Sequence, residues 1–155
     1  RGAGIGMDPI TGGAVVDENR MTDVSGIFAC GNVLQVHDLV DYVTLEAQLA
    51  GKGAADYILG NIDNEPVYVN TTTGNGVRYL VPQRVNVNSK EDVKLYFRVG
   101  QIYKNAKVVL ECDGKVISSK KKVKLAPGEM ENVIIPADVL EGMSQDSKII
   151  VRVEE

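Results

Sequence analysis

The sequence has little of what builds metal and redox centres. Its 155 residues include two cysteines, Cys30 and Cys112, one histidine, His37, and no tryptophan. The cysteines lie far apart and no Cys-x-x-Cys pair occurs, so the spacing gives no support to a zinc site or a dithiol redox motif. We therefore expect no metal site, and we expect a reducing, cytoplasmic compartment.

Long apolar runs are also missing. No run approaches the roughly 20 residues that a transmembrane helix needs, so no membrane span is predicted. The first residues show no basic stretch followed by an apolar one, which argues against a signal peptide. A chain that begins with Arg1 is expected to be a piece of a longer protein.

Charge is unevenly distributed along the chain. Residues 1–64 carry three basic and nine acidic residues, a net charge of −6, whereas residues 65–155 carry fourteen basic and twelve acidic residues, a net charge of +2. Such a change at a polar junction indicates a domain boundary. The sequence therefore predicts two domains, 1–64 and 65–155.

The second domain has the pattern of short strands. The stretch Val93–Val99 alternates strictly between apolar and other residues, as a half-buried strand does. Asp113-Gly114 is a strong hairpin signal between two further strands, 107–112 and 115–125. About six or seven strands with frequent turns predict an immunoglobulin-like β-sandwich. The remaining segments predicted as strands are 131–136 and 148–153, and 137–143 is predicted as a short helix.

A run of lysines on one predicted strand raises the question of nucleic-acid binding. The run comprises Lys120, Lys121, Lys122 and Lys124. Phosphate binding usually needs a broader basic field. Lysines on an exposed edge strand more commonly block sheet-to-sheet association, so we predict no nucleic-acid partner.

The first domain contains one predicted helix, 41–59. A stripe of mostly small residues recurs along it at helical spacing, which would let its backbone approach a sheet closely. Asp38 and Asp41 are candidates to cap its first turn. The residues of the stripe are Val43, Ala47, Ala50, Gly51, Ala54 and Ile58.

The stretch Gly26-Ile-Phe-Ala-Cys-Gly-Asn-Val33 precedes that helix. Its apolar residues 27–30 predict a parallel strand buried on both faces. Gly31 at the end of the strand lacks a Cβ, so a ligand could touch the backbone, and Asn32 offers an acceptor and two donors. Strand, glycine–polar pair and helix N-terminus suit the edge of a cofactor site. The same order of elements also occurs in scaffolds without a ligand, and this alternative stays open.

The segment 22–58 resembles the last FAD-binding segment of the pyridine nucleotide-disulfide oxidoreductase superfamily. The family pattern there is a threonine, a few residues, G-[IV]-[FY]-A-x-G-D and then a helix with A-G and A-A pairs. The chain is similar in particular to the NAD(FAD)-dependent dehydrogenases found beside glycerol-3-phosphate oxidase-like proteins. The resemblance covers roughly residues 8–59. Matching residues are Thr22, Gly26, Ile27, Phe28, Ala29 and Gly31.

This resemblance implies an α+β chain that begins with the strand–loop–helix remnant of an FAD-binding α/β domain. It implies FAD as cofactor and NAD(P)H as co-substrate of the parent protein. Gly31 and Asn32 would lie along the ribityl chain and the pyrophosphate. Backbone N–H groups of Leu39, Val40 and Asp41 would face the carbonyl of the flavin pyrimidine ring.

The departures from the family pattern limit what the chain could do alone. No G-x-G-x-x-G loop and no redox-active cysteine pair is present, and Asn32 replaces the usual aspartate. We therefore expect an inactive C-terminal fragment of a FAD-dependent NAD(P)H oxidoreductase, whose partner is the remainder of the parent flavoprotein. No catalytic residue is assigned. Near the flavin edge His37 is either a proton donor or a surface or capping residue, and Cys30 is predicted to be a small core residue.

A second function from another class stays open. The β-rich half could be an interaction module that docks a partner oxidoreductase subunit, or the chain could associate with itself. The two functions are compatible within one parent protein. The pattern of residues does not identify the electron acceptor or distinguish NADH from NADPH.

Overall fold

Two sheets and few helices form the mixed α+β fold of the chain, which is described over residues 2–155 by a computed structural model. The chain divides into two units, Arg1–Glu65 and Pro66–Glu155, here called the amino-terminal and carboxy-terminal units. The division falls at the polar junction where the charge changes sign. Within residues 2–155, no helix is both long and apolar enough to cross a membrane.

The amino-terminal unit is built around one long helix, α1, Val40–Leu59. A single 3₁₀ turn, Gly31–Val33, precedes it. In the other described residues of this unit, the chain forms loops that are connected by isolated antiparallel bridges. These bridges are Met7–Ala14, Val16–Thr22 and Met21–Phe28.

The parallel strand predicted at residues 27–30 is wrong. The chain folds back there as a tight hairpin, in which the Thr22 N–H donates to the Ile27 carbonyl at 2.8 Å and the Ala29 N–H donates to the Arg20 carbonyl at 3.0 Å. The residues are half-buried rather than fully buried. The reason is Gly26, whose φ of 80° reverses the chain and supplies an antiparallel neighbour from the preceding residues.

Helix α1 confirms the predicted helix, but its start differs from the prediction. Leu39, rather than Asp38 or Asp41, occupies the N-cap position, and its side chain cannot accept a hydrogen bond from the first turn. The helix ends at Gly60, whose φ of 73° lets its N–H turn back to the carbonyls of the last turn.

The buried face of α1 is shifted from the predicted stripe. The fully buried residues are Glu46, Ala50 and Gly53, whereas Gly51 is exposed and Ile58 is 82% exposed. A Cβ at position 53 would lie 2.5 Å from the backbone oxygen of Asn19. The helix therefore does approach its neighbour closely, but the neighbour is a turn and not a sheet.

The carboxy-terminal unit contains eight strands and one short helix. A five-stranded sheet has the order β3-β1-β8-β5-β6, and a three-stranded sheet has the order β2-β4-β7. All pairings are antiparallel except the parallel pair of β1 and β8. The elements are β1 Tyr68–Thr73, β2 Val77–Val81, β3 Arg84–Asn86, β4 Val93–Val99, β5 Tyr103–Cys112, β6 Lys115–Leu125, β7 Glu131–Ile135, α2 Ala137–Glu141 and β8 Ile149–Glu154.

Local patterns located most of these elements. The strands predicted from residue 93 onward and the short helix are confirmed, each within a few residues. Asp113 and Gly114, at the tip of the β5–β6 hairpin, have φ values of 50° and 79°, as a hairpin turn with two positive φ angles requires. No strand was predicted at β1, β2 or β3, and Tyr68–Thr73 carries only one fully buried residue, Val69, so it lacks the alternation of a half-buried strand.

Apolar side chains from both sheets meet in one core within this unit. From the three-stranded sheet come Leu95 and Phe97, and from the five-stranded sheet come Leu110 and Val151, all of them fully buried. The strict alternation of β4 places every second side chain in this core. Burial of this apolar surface is the main stabilising contribution to the unit.

Six exposed lysines lie on β5 and β6, and the five of them that lie away from the hairpin turn are here called the lysine hairpin. Within the register of the two strands, Lys104 lies directly opposite Lys124 and Lys107 directly opposite Lys121. Like charges at directly opposed positions destabilise a sheet. The fifth residue of the lysine hairpin is Lys120.

Reversing one charge in the lysine hairpin should therefore stabilise the carboxy-terminal unit. The substitution Lys104→Glu should raise its free energy of unfolding by about 0.2–1 kcal/mol, because a repulsive pair becomes an attractive one. Urea unfolding followed by amide signals of β5 measures the change. The control is Lys94→Glu, since Lys94 lies opposite Ile134 and has no lysine across from it. Equal effects of the two substitutions would contradict the prediction.

Candidate functional site

The residues predicted to contact a cofactor lie along one short stretch, here called the Gly31–Asp41 segment. Gly31 is buried and begins the 3₁₀ turn, while Asn32 is exposed. Leu39 is the N-cap of α1, and Val40 and Asp41 begin its first turn with exposed side chains. The structure thus brings the predicted residues to the two ends of one loop.

Gly31 is a glycine because of its backbone conformation. Its φ is 71°, a region that residues with a Cβ rarely adopt. A Cβ there would meet only Val43 Cγ1, at 3.8 Å, which is ordinary contact. Within the described chain, lack of space for a side chain therefore does not explain the glycine.

Asn32 closes the loop from its exposed side. Its Oδ1 accepts a hydrogen bond from the backbone N–H of His37 at 3.2 Å. This oxygen, on a residue that the resemblance would place along the ribityl chain, thus already accepts a hydrogen bond within the loop. A carboxylate could accept the same bond, so the aspartate usual in the resembling family would also close this loop.

A buried carboxylate, that of Glu46 on α1, organises the same segment from below. Its side chain is 2% exposed. Its Oε2 accepts from the Gly31 N–H at 2.8 Å and lies 2.7 Å from His37 Nε2. Its Oε1 accepts from Gln35 Nε2 at 3.0 Å and from Arg20 Nε at 3.3 Å. Four groups, one at Arg20 and three in the loop of residues 31–37, therefore converge on one carboxylate.

This convergence is what makes burial of the charge tolerable. An ionised carboxylate away from water needs both a counter-charge and several hydrogen bonds. The guanidinium of Arg20, itself 1% exposed, supplies the counter-charge. Burial of Glu46 was not predicted, because a glutamate within a helix is normally assigned to the exposed face. The one available signal was its position four residues before Ala50, on the buried stripe.

His37 is the only histidine of the chain, and its side chain is 2% exposed. Of the roles left open for His37, a surface position does not agree with this burial of the side chain. Since a carboxylate only accepts hydrogen bonds, Nε2 carries the proton in the contact with Glu46. In the neutral ring the lone pair is then on Nδ1, which is buried and has no hydrogen-bond partner within residues 2–155. A carboxylate-held imidazole with its second nitrogen available can carry a proton.

Apolar side chains surround the start of α1 on the outside. Val40 is 80% exposed, and its neighbours Val33, Val36 and Leu39 are 70%, 66% and 56% exposed. The side chain of Leu39 leaves the N–H groups of the first turn without an N-cap bond. Such N–H groups and the positive end of the helix dipole favour an electron-rich oxygen. Exposed apolar groups beside a helix N-terminus are suited to a ligand with both apolar and anionic parts.

The two cysteines differ in their surroundings. Cys30 is half-buried next to Gly31, so the prediction that it is a core residue holds only in part. Burial, reinforced by the carboxylates of Asp113 and Glu111, raises the pKa of Cys112 to about 11. That thiol therefore stays protonated and unreactive at neutral pH. Over residues 2–155, no group of three His, Cys, Asp or Glu side chains could hold a metal ion.

Comparison with known proteins returned no matching family model, no matching curated protein and no matching solved structure. The interpretation of the site therefore depends on its own geometry. What that geometry offers is a helix N-terminus, a loop closed by Asn32, and a buried His37–Glu46 pair beneath the loop.

Removing the charge of Glu46 should loosen the whole Gly31–Asp41 segment. We expect Glu46→Gln to destabilise the amino-terminal unit by about 3–5 kcal/mol, because the Arg20 guanidinium stays buried without its counter-charge. Hydrogen exchange of the α1 amides in the full chain reports the loss. The matched control is Gln48→Ala, an exposed position on the same helix. A loss no larger than that of the control would show that the carboxylate does not organise the unit.

Substitutions at two glycines distinguish the effect of backbone strain on stability from the effect of space for a side chain. The substitution Gly31→Ala should cost about 1–2 kcal/mol, since alanine must adopt a positive φ. In contrast, Gly51→Ala should stabilise the unit by about 0.5–1 kcal/mol, because Gly51 lies inside α1 with nothing within 4 Å of an added Cβ. Thermal unfolding and amide exchange of both variants measure the difference. Equal stability of the two variants would contradict the role assigned to the φ of Gly31.

Proposed function

We propose that this chain is the C-terminal part of a FAD-dependent NAD(P)H oxidoreductase and that its Gly31–Asp41 segment forms one wall of the FAD site. The observation that carries the proposal is the arrangement at the start of α1. There a helix N-terminus without an N-cap side-chain bond follows a loop that Gly31 and Asn32 close. Exposed apolar side chains adjoin it. The resemblance of residues 8–59 to the FAD-binding segment supports the same function.

Each residue of the segment has a role in this proposal. Gly31 and Asn32 lie along the ribityl chain and pyrophosphate of FAD. The backbone N–H groups of Leu39, Val40 and Asp41 face the carbonyl of the flavin pyrimidine ring. The positive end of the α1 dipole would stabilise negative charge on a reduced flavin bound there.

The buried His37–Glu46 pair provides the site with a candidate proton carrier. Glu46 holds the imidazole by Nε2 and leaves Nδ1 for a proton. In the parent protein, bound FAD would supply the chemistry of hydride transfer from NAD(P)H and of electron transfer to an acceptor. The chain alone lacks the phosphate-binding glycine loop, so it performs none of this chemistry by itself.

For the carboxy-terminal unit we propose the immunoglobulin-like form of a β-sandwich. Support comes from the core that both sheets share. It also comes from the strand order, in which every connection except that of the β5–β6 hairpin joins a strand of one sheet to a strand of the other. A module of this kind has a second candidate function, the docking of a partner subunit. The observation that favours docking is the exposed lysine hairpin on an edge of the five-stranded sheet.

The cofactor proposal is tested on the native polypeptide that contains this sequence. It should show the visible absorption of bound oxidised flavin. The substitution Asn32→Asp should leave flavin content unchanged, because an aspartate accepts the same loop bond. In contrast, Asn32→Leu should lower flavin content sharply. This position is a cleaner test than Gly31, where any side chain adds backbone strain. A native polypeptide without flavin would refute the proposal.

The chain itself provides a separate test of the site. In an FAD titration followed by amide signals, we expect binding weaker than micromolar, because most anchoring N–H groups of such a site lie in the missing glycine loop. The signals that shift should be those of Gly31, Asn32, Leu39, Val40 and Asp41. Micromolar binding would contradict the predicted inactivity of the isolated chain. Shifts confined to other residues would place the flavin elsewhere.

A further inference from the structure

We propose that the lysine hairpin is a docking site for an acidic extended polypeptide segment that adds to the edge strand β6. The inference deepens the docking function proposed for the carboxy-terminal unit and does not depend on the flavin site. Strand β6 is the last strand of the five-stranded sheet and is eleven residues long. The side of an edge strand that faces away from its sheet presents N–H and C=O groups to any chain that can align with it.

The placement of the lysines goes beyond protection of an edge strand. Lysines that hinder sheet-to-sheet association need not face one another. Here two lysine pairs lie directly opposite each other, Lys104 with Lys124 and Lys107 with Lys121. All five lysines of the hairpin are exposed, and none forms an ion pair within residues 2–155. The sheet thus retains a repulsion that an anionic partner would relieve.

The same charges determine which partner can align. A second copy of the chain that paired β6 with β6 would bring the lysines of both copies together, which is unfavourable. An acidic strand would instead place carboxylates beside the ammonium groups. Exposed apolar side chains on β6, with Val123 82% exposed, offer contact to alternate residues of the partner. The best-fitting partner therefore alternates acidic and apolar residues.

A nucleic acid fits this surface less well. Carboxylates interrupt the basic field: Glu154 lies across from Lys107 on the other side of β5, and Glu131 contacts Lys122 at 2.6 Å. Residues 65–155 together carry a net charge of only +2. Phosphate backbones bind where several cations form one continuous field.

The test measures binding of synthetic peptides to the full chain by fluorescence anisotropy. The probe is a peptide of about eight residues that alternates glutamate and valine, long enough to cover most of an edge strand. A peptide of equal charge with proline in place of valine serves as its control, because proline cannot donate the hydrogen bonds of a strand. Duplex DNA of equal charge is the third probe.

We expect the glutamate–valine peptide to bind and to protect alternate β6 amides from hydrogen exchange. The double substitution Lys120→Ser with Lys124→Ser removes two charges from the face of β6 opposite to Val123 and should weaken binding about tenfold, as loss of two charge contacts would. The matched control is Lys94→Ser with Lys148→Ser, which removes the same charge from exposed positions outside the hairpin and should leave binding unchanged.

Three results would overturn the proposal. Equal binding of the proline peptide would show that β6 does not pair with the ligand. Tighter binding of the DNA would identify a nucleic-acid surface. Equal affinity of the two double variants would place the peptide outside the lysine hairpin, although the docking function itself would then stand. Flavin content of the native polypeptide should not change in either double variant, so this test and the cofactor test can fail separately.

Discussion

Burial of the Glu46 carboxylate is the constraint on which the amino-terminal unit depends. A charge in that position requires the guanidinium of Arg20 and hydrogen bonds from three other groups. To supply them, the loop before α1 must return to the helix, and the turn at Arg20 must lie beneath it. The buried face of α1 is consequently set by a charged residue, with Ala50 and Gly53 continuing it. Apolar contacts, which have no preferred direction, would fix the positions of these loops less well.

The same carboxylate connects the packing of the unit to its proposed chemistry. It fixes the N–H of Gly31 and the ring of His37, two groups of the segment proposed as one wall of the cofactor site. Because this anchoring is done from below, the outer side of the loop and the first turn of α1 stay open. A site that is rigid on its buried side and open on the other is prepared to receive a ligand without rearrangement. The carboxylate would therefore serve both stability and binding.

The carboxy-terminal unit is held together by a different interaction. Its stability comes from the apolar side chains that two sheets share, and charge is confined to the outside. There, lysines opposite lysines reduce stability and at the same time discourage pairing of two identical edges. Such a surface is consistent with selection against self-association together with acceptance of an acidic partner. One unit thus buries its key charge, and the other exposes its charges.

The sequence by itself determined the features that depend on neighbouring residues. Helical spacing located α1, strict alternation located β4, and Asp113-Gly114 located the β5–β6 hairpin, because each pattern acts over a few residues. Tertiary structure decided what depends on residues far apart in the chain. Examples are the burial of Glu46 against Arg20 and the parallel pairing of Thr71 in β1 with Ile149 in β8. The residues next to a strand or a glutamate in the sequence do not show which distant residue it will contact. Only folding brings the two partners together.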